Sequence, residues 1–254
     1  MENKDIKIIT SINNNFIKEL SKLKEKKYRL MNKEFLIEGE HLINEAYNAN
    51  RLKILLSDNE DILNRYDICE KYKVSEDIIK KLSQTTSPQG LVGICDIKEI
   101  EVDYNNYQHI LILDDVKDPG NIGTLIRTSL AFDIDLIVMS KDSCDIYNDK
   151  VVRASQGAIF NIDIVYKDLK SEIQLMKNKS IKIISTSLSA NMDVKDIKHM
   201  DKYAIILGNE ANGVCKDIQE LADINVIIPI SKKMESLNVA IAGAIMMYEV
   251  RKWK

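Results

Sequence analysis

The chain has 254 residues, 45% hydrophobic and 30% charged, with a formal net charge of −3. That balance suits a soluble globular protein with a sizeable core, built as one large or two smaller domains. No apolar run approaches the length needed to cross a bilayer, and the N-terminus lacks the basic-then-apolar pattern of a signal peptide, so a cytoplasmic protein is expected. Cys69, Cys95, Cys144 and Cys215 lie far apart with no C-x-x-C pair, which excludes a disulfide framework or zinc ribbon. His41, His109 and His199 are equally scattered, so neither a metal site nor a Ser-His-Asp arrangement is expected.

In chain order, the first notable stretch is "KELSKLKEKKYRLMNK" (18–33). It sets Lys18, Lys22, Lys24, Lys26, Lys27, Arg29 and Lys33 against Glu19 and Glu25. Such a run is either a solvated helix face or a local phosphate-binding patch, which a mildly acidic chain can carry. "FLIEG" (35–39) reads as a strand and "EHLINEAYNA" (40–49) as a helix with Leu42, Ile43, Ala46 and Tyr47 on one side. "LKILLS" (52–57) is a strand, "SEDIIKKLSQ" (75–84) a short helix opened by Ser75, and "GLVGICDI" (90–97) a strand. A polar stretch, 96–109, separates this small α/β half from the rest.

The second half alternates more clearly. "HILILD" (109–114), "DLIVMS" (135–140), "IKIISTS" (181–187), "YAIILG" (203–208) and "NVIIPI" (225–230) are continuous apolar runs. That pattern belongs to parallel strands covered on both faces. Helical segments lie between most of them, and "LNVAIAGAIMMYEVRKWK" closes the chain.

Ligands of open parallel sheets bind beyond the carboxyl ends of the strands. Three strand ends here carry turn-forming polar sequence: "DVKDPGNIG" after 109–114, "NEANGV" after 203–208 and "SKKMESLN" after 225–230. In the first, Pro119 and Gly120 set a tight turn, and Asn121 is either the N-cap of the following helix or a site residue. On a helical wheel Ile122, Leu125, Ile126 and Ser129 share one side, while Arg127 falls beside Gly123, Thr124 and Ala131. "PGNIGT" lacks the third glycine of a dinucleotide fingerprint, and no G-K-[ST] follows to make a P-loop. A cofactor held mainly by backbone would favour the loops around Gly208, Gly213 and Pro229. Glu210 follows a buried strand by three residues. Ser236 and Asn238 open the last helix, where Ser236 is either its N-cap or a site residue.

Together, "DPGNIGTLIRT", "LGNEANGV" and "IPISKKMESLNVAIAGAIMMYE" resemble, in order and spacing, the three motifs of the SpoU (TrmH) family of RNA 2′-O-ribose methyltransferases. "VVRASQGAIF" (151–160) is similar to the stretch that family carries between its first two motifs. The first half, through "FLIEGEHLINEA" and "LSQTTSPQGLVGI", resembles the family's L30e-like substrate-binding domain. The resemblance implies an RNA-binding domain over 1–104 and a methyltransferase domain over 105–254. It implies an α/β fold of the SPOUT type, a parallel sheet with a C-terminal trefoil knot, one of the rare exceptions to ordinary chain topology. It further implies S-adenosylmethionine as cofactor and a homodimer in which the partner subunit completes each site.

Carried over residue by residue, Asn121, Arg127, Glu210, Ser236 and Asn238 match the catalytic positions. Leu207, Gly208, Asn209, Ile228, Pro229, Ile230 and Leu237 match the stretches that hold the cofactor. Two departures stand out: Lys232 and Ala211 occupy positions where the family commonly has Gly. Because the sulfonium cofactor carries an already activated methyl group, the chief task left is to place the ribose oxygen in line with it. Arg127 serves either as base or, since a guanidinium holds its proton past ~12, as a phosphate binder that favours the alkoxide. RNA is the expected partner, ribosomal RNA before transfer RNA, with Lys24, Lys26, Lys27, Arg29, Lys232 and Lys233 as phosphate contacts. The competing readings are a non-catalytic RNA-binding homologue and, against the missing fingerprint, a nucleotide-dependent oxidoreductase.

Overall fold

The computed structural model describes residues 6–68 and 70–251. Cys69 and the last three residues of the expected terminal helix, 252–254, lie outside the described residues. The chain divides into two compact units. One comprises residues 1–99 with 147–160, the other residues 100–146 with 161–254.

The first unit runs β1 (Lys7–Ile9), α1 (Asn15–Lys22), α2 (Lys26–Asn32), β2 (Glu34–Glu38), α3 (Glu40–Asn48), β3 (Leu52–Ser57), α4 (Glu60–Leu63), β4 (Glu70–Val74), α5 (Glu76–Leu82) and β5 (Leu91–Asp96). Its five strands pair in the order β1-β4-β3-β5-β2. β1, β4 and β3 run parallel, while β5 is antiparallel to both β3 and β2. Ile17, Leu20 and Leu23 of the first helical segment join Leu36, Leu56, Ile78, Ile79 and Leu82 in one apolar core. On α3, Leu42, Ile43 and Ala46 are buried, the side that helical spacing predicts. Ser75 stands at the N-cap of α5 in an extended conformation, without a side-chain hydrogen bond to the helix. Strand β4 escapes a sequence reading because its pattern, Glu-Lys-Tyr-Lys-Val, spends three of five positions on charge.

The basic run 18–33 is two helices rather than one. α1 ends at Lys22 and α2 begins at Lys26. Arg29, expected to face phosphate, is only 5% exposed. Its Nη1 donates to the carbonyl oxygens of Leu23 (2.9 Å) and Lys24 (2.7 Å) at the elbow. The carbonyls at a helix end lack intrahelical donors, and a buried guanidinium supplies them. Lys24 is likewise drawn inward: its Nζ donates to Ser83 O at 2.7 Å, and burial is the main cause that holds its pKa below the usual lysine value.

The second unit opens with a short 3₁₀ turn at Tyr104–Asn106, then β6 (His109–Leu113), α6 (Pro119–Ala131) and β7 (Leu136–Ser140). Residues 147–160, with α7 (Asp149–Ala154), belong to the first unit. The second unit resumes with β8 (Asp163–Lys167), α8 (Leu169–Asn178), β9 (Lys182–Thr186), β10 (Met192–Asp193), β11 (Tyr203–Leu207), α9 (Lys216–Gln219), β12 (Ile224–Ile227) and α10 (Val239–Val250). Its strand order is β10-β12-β9-β11-β6-β7-β8, and every pairing is parallel. Alternate strand residues Ile110, Ile112, Ile183, Ala204 and Ile206 pack with Ile173 and Met176 of α8 and Ile218 of α9. Their neighbours Leu111, Leu113, Ile184, Ile205 and Leu207 are also buried. Coverage of both faces is why these strands read as unbroken apolar runs. The edge strands β8 and β10 lack such runs, which is why the sequence does not reveal them.

α10 is apolar nearly throughout and packs on α6 and β11. A Cβ added at Gly243 would lie 2.6 Å from Leu125 Cδ2 and 2.7 Å from Leu207 Cδ1, so this close crossing needs glycine. From the first unit one stability prediction follows. Arg29→Met should lower unfolding free energy by roughly 1.5–3 kcal/mol, because it strips two buried carbonyls of a charged donor. Urea denaturation reads this directly, and an unshifted midpoint would return Arg29 to the surface role that the charge run suggested.

Candidate functional site

The strand order reverses between β6 and β11. From β6 the chain builds outward to β7 and β8, while β9, β12 and β10 lie on the far side of β11. A crevice at the carboxyl ends of two such strands is where open α/β sheets bind ligands. Here Asp114 N–H donates to Leu207 O at 2.9 Å, and the Asp114 carboxylate accepts from Cys215 N at 2.8 Å. Those two bonds bracket the loop 208–214. Inside it, Asn209 and Gly213 exchange backbone hydrogen bonds of 3.0 and 2.9 Å. Asn209 Oδ1 accepts from Ala211 N, and its Nδ2 donates to Asp115 O, both at 2.9 Å. Gly213 holds φ +69°, and a Cβ on Gly208 would lie 2.1 Å from the backbone of Gly213 and Val214. Only glycine allows the chain to fold back on itself so closely. The loop thus presents main chain, not side chain, to whatever lies beside it.

A cavity of about 380 Å³ opens there, within the size range of small-molecule sites. Leu207, Gly208, Asn209, Glu210, Ile228, Ile230, Ser236 and Leu237 line it, so eight of the expected residues share one space. Pro229 does not line it. Neither does Lys232 or Lys233, which sit with Ser236 in the exposed stretch 231–238. The sequence reading missed Thr186–Ser189, which supply a further wall after β9. Their position at the end of a predicted strand is the signal that would have found them.

Beside the cavity, Glu210 is the polar hub. Its carboxylate accepts from Lys117 N (3.3 Å), Asp118 N (3.1 Å) and Asn121 Nδ2 (3.0 Å). Asn121 Oδ1 in turn accepts from Asn238 Nδ2 at 2.8 Å. Asn238 Oδ1 accepts from the N–H groups of Ala240 (2.9 Å) and Ile241 (3.3 Å), which makes Asn238 the N-cap of α10. Partial burial pushes the Glu210 pKa up, but the Asn121 side chain and the backbone amides of Glu210 itself, Asp118 and Lys117 together outweigh it and hold the carboxyl below its usual value.

Two capping expectations are corrected. Asp118, not Asn121, caps α6: its side chain accepts from Asn121 N at 2.8 Å, with Pro119 as the first helical residue. Asn121 is thereby inside the helix, with its amide free to reach Glu210. Asn238, not Ser236, caps α10, so the Ser236 hydroxyl is left at the cavity wall. Gly123, expected on the open side of α6 with Arg127, is buried.

Arg127 is exposed and makes no hydrogen bond or ion pair among the described residues. Six residues separate it from Asn121, about 9 Å of rise and a turn of about 120° away on the helix. The chain therefore does not bring Arg127 to the cavity that its own loops build. Leu130 on α6 and Ile241 and Tyr248 on α10 are exposed apolar side chains of the same helix pair.

Glu210→Gln offers a pH test. A carboxyl with a lowered folded pKa adds stability above its unfolded pKa and loses it as pH falls through the folded value. The melting temperature of the native chain should exceed that of the variant at neutral pH, and the gap should close in acid. A gap of constant size across that range would mean that the charged carboxylate is not what the amides recognise.

Comparison with known proteins agrees with this arrangement. Residues 108–248 match the SpoU rRNA Methylase family, and residues 14–93 match the MRM3-like substrate binding domain. The 23S rRNA (guanosine(2553)-2′-O)-methyltransferase RlmP of Bacillus subtilis is 34% identical over 97% of this chain and 100% of its own length. An AdoMet-bound rRNA methyltransferase from Sinorhizobium meliloti superposes with a TM-score of 0.86 at 26% identity, covering 96% of this chain and 97% of that one. A solved RNA 2′-O ribose methyltransferase gives 0.81 at 28% identity over 96% and 97% of the two chains.

Proposed function

The chain belongs to the SpoU rRNA methylase family, and on that premise we propose that it methylates a ribose 2′-hydroxyl of 23S ribosomal RNA. The observation that carries the proposal is the chain Glu210–Asn121–Asn238, which ties three strand-end loops around one cavity. S-adenosylmethionine fits that cavity. Leu207, Val226, Ile228 and Leu237 offer apolar walls for its adenosyl part, and the 208–214 loop offers backbone polar groups, with Pro229 shaping the strand end beside Ile228. When bound, the cofactor supplies an electrophilic methyl group. Asn121, Glu210 and Asn238 form a rigid shelf, and the free Ser236 hydroxyl is available to the ribose. Lys232 and Lys233, exposed beside that wall, meet backbone phosphate, as do Lys26 and Lys27 on the substrate-binding unit. Transfer RNA is the alternative substrate.

Arg127 acts in this reading on the site of a second copy. Its own cavity does not include it, while the helix pair that carries it also shows Leu130, Ile241 and Tyr248 to solvent. A homodimer that buries those side chains would set each guanidinium against the partner subunit's site. There its guanidinium holds RNA phosphate and favours the developing alkoxide, or, once it has given up its own proton, the neutral side chain takes the proton of the hydroxyl. The packing of α10 back onto α6 accords with the trefoil knot that the family resemblance implies. A ribosomal RNA substrate supports a cytoplasmic location. Among the described residues, no helix is long and apolar enough to cross a membrane.

Two experiments test the proposal. With tritiated S-adenosylmethionine and separate pools of unmodified ribosomal and transfer RNA, label should enter the ribosomal pool at one alkali-resistant linkage. Arg127→Ala should lower transfer by roughly 10²–10³-fold, with cofactor affinity nearly unchanged; equal loss of both would misplace Arg127. Sedimentation should give a dimer at micromolar concentration, and Ile241→Asp with Tyr248→Asp should give an inactive monomer. A native chain that sediments as a monomer and still transfers methyl groups would remove the shared-site model.

A further inference from the structure

We infer that the α1–α2 elbow of the substrate-binding unit is a stacking platform for an unpaired RNA nucleotide, with Tyr28 as the surface on which the base lies. The inference rests on the RNA methylation proposed above and adds which form of RNA this surface takes. Arg29 fixes the geometry. With its guanidinium buried against the carbonyls of Leu23 and Lys24, the opposite side of the short helix α2 must face solvent. Helical spacing puts Lys27 and Met31 on that outer side, with Tyr28 at one flank and Leu30 and Lys26 at the other. Leu30 is 54% and Met31 63% exposed, two consecutive apolar side chains open to a ligand.

Charge on this surface is sorted. Lys24 donates to Ser83 O, Lys22 pairs with Glu19 at 2.7 Å, and Lys33 pairs with Glu99, so those three are engaged within the chain. Lys26 and Lys27 are exposed and make no hydrogen bond or ion pair among the described residues. They open α2, the end at which helices favour acidic residues, so local stability does not explain them. Glu25 precedes them without a side-chain bond to the helix.

The Tyr28 ring is half-buried, with Lys22 Nζ 5.5 Å and Lys27 Nζ 5.7 Å from its centroid. An exposed cation–π contact is weaker than the stacking of a base on an aromatic ring. A base can therefore take the ring face while Lys27 swings to a flanking phosphate and Lys22 stays on Glu19. Duplex RNA cannot use this surface fully, because its bases already stack on each other and it offers only phosphate and 2′-hydroxyl groups. An aromatic ring beside the free cation Lys27, with exposed apolar side chains on the same short helix, fits a loop or bulge.

Fluorescence anisotropy of the full chain with a labelled single-stranded RNA oligonucleotide, and with the same sequence as a blunt duplex, tests this. Tyr28→Ala should weaken single-strand binding roughly tenfold and leave duplex binding almost unchanged, while Tyr28→Phe should bind like the native chain. Lys26→Gln with Lys27→Gln should flatten the salt slope for single strands by about 1.4. A 2-aminopurine base in the oligonucleotide should be quenched by the native chain and not by Tyr28→Ala. Undiminished binding by Tyr28→Ala, or equal loss on both RNA forms, overturns the platform. If the native chain still labels ribosomal RNA, only this inference has then failed. If the native chain neither binds nor labels any RNA, the proposed function falls with it.

Discussion

One carboxylate organises the site. A carboxylate can only accept hydrogen bonds, so Glu210 dictates that Asn121 turn its Nδ2 inward. That leaves Asn121 Oδ1 to face Asn238, which must answer with Nδ2 and keep its own Oδ1 for the first amides of α10. The orientation of both amides is thus fixed from each end: a charge at one, a helix N-terminus at the other. Remove the charge and nothing tells Asn121 which way to face. Because these residues follow three different strands, the same relay sets the spacing of the loops that enclose the cavity.

Gly208 does by shape what Glu210 does by charge. Its missing Cβ lets the chain at 208 press against 213–214, so a tight loop can offer main-chain groups to the cavity rim. Asp114 holds that loop from beneath, through its amide to Leu207 and its carboxylate to Cys215. A site built this way recognises a ligand through amides, carbonyls and apolar walls. That accords with a chain in which histidine is scarce and cysteine buried or scattered; burial pushes the Cys95 thiol well above its usual range.

Cations are more than balanced by acids in this protein proposed to act on RNA, with 36 Lys and Arg against 39 Asp and Glu. The net charge is −3, and several lysines of the basic run are engaged within the chain. Among the free cations are Lys26 and Lys27 on one elbow, Lys232 and Lys233 beside the cavity wall, and Arg127 on an exposed helix face. A few positioned charges on a mildly acidic body favour selective docking over general adhesion to polyanions.

The sequence by itself determined the parallel sheet, because strands covered on both faces must be apolar at every position, as 110–113 and 203–207 are. It also pointed to the strand ends that enclose the cavity, through the polar turns that follow those strands. Glu210, Ser236, Gly208 and Leu237 were legible on that ground together with the motif resemblance. Only the tertiary structure decided what each polar group bonds. Asn121 and Ser236 both look like caps, but Asp118 and Asn238 take those places, because capping depends on which side chain reaches an amide and not on its type alone. Likewise Arg29 is one cation among seven in the run 18–33. It became an internal strut because the chain bends at Leu23–Glu25, and only a folded elbow can hold two orphan carbonyls within reach of one guanidinium.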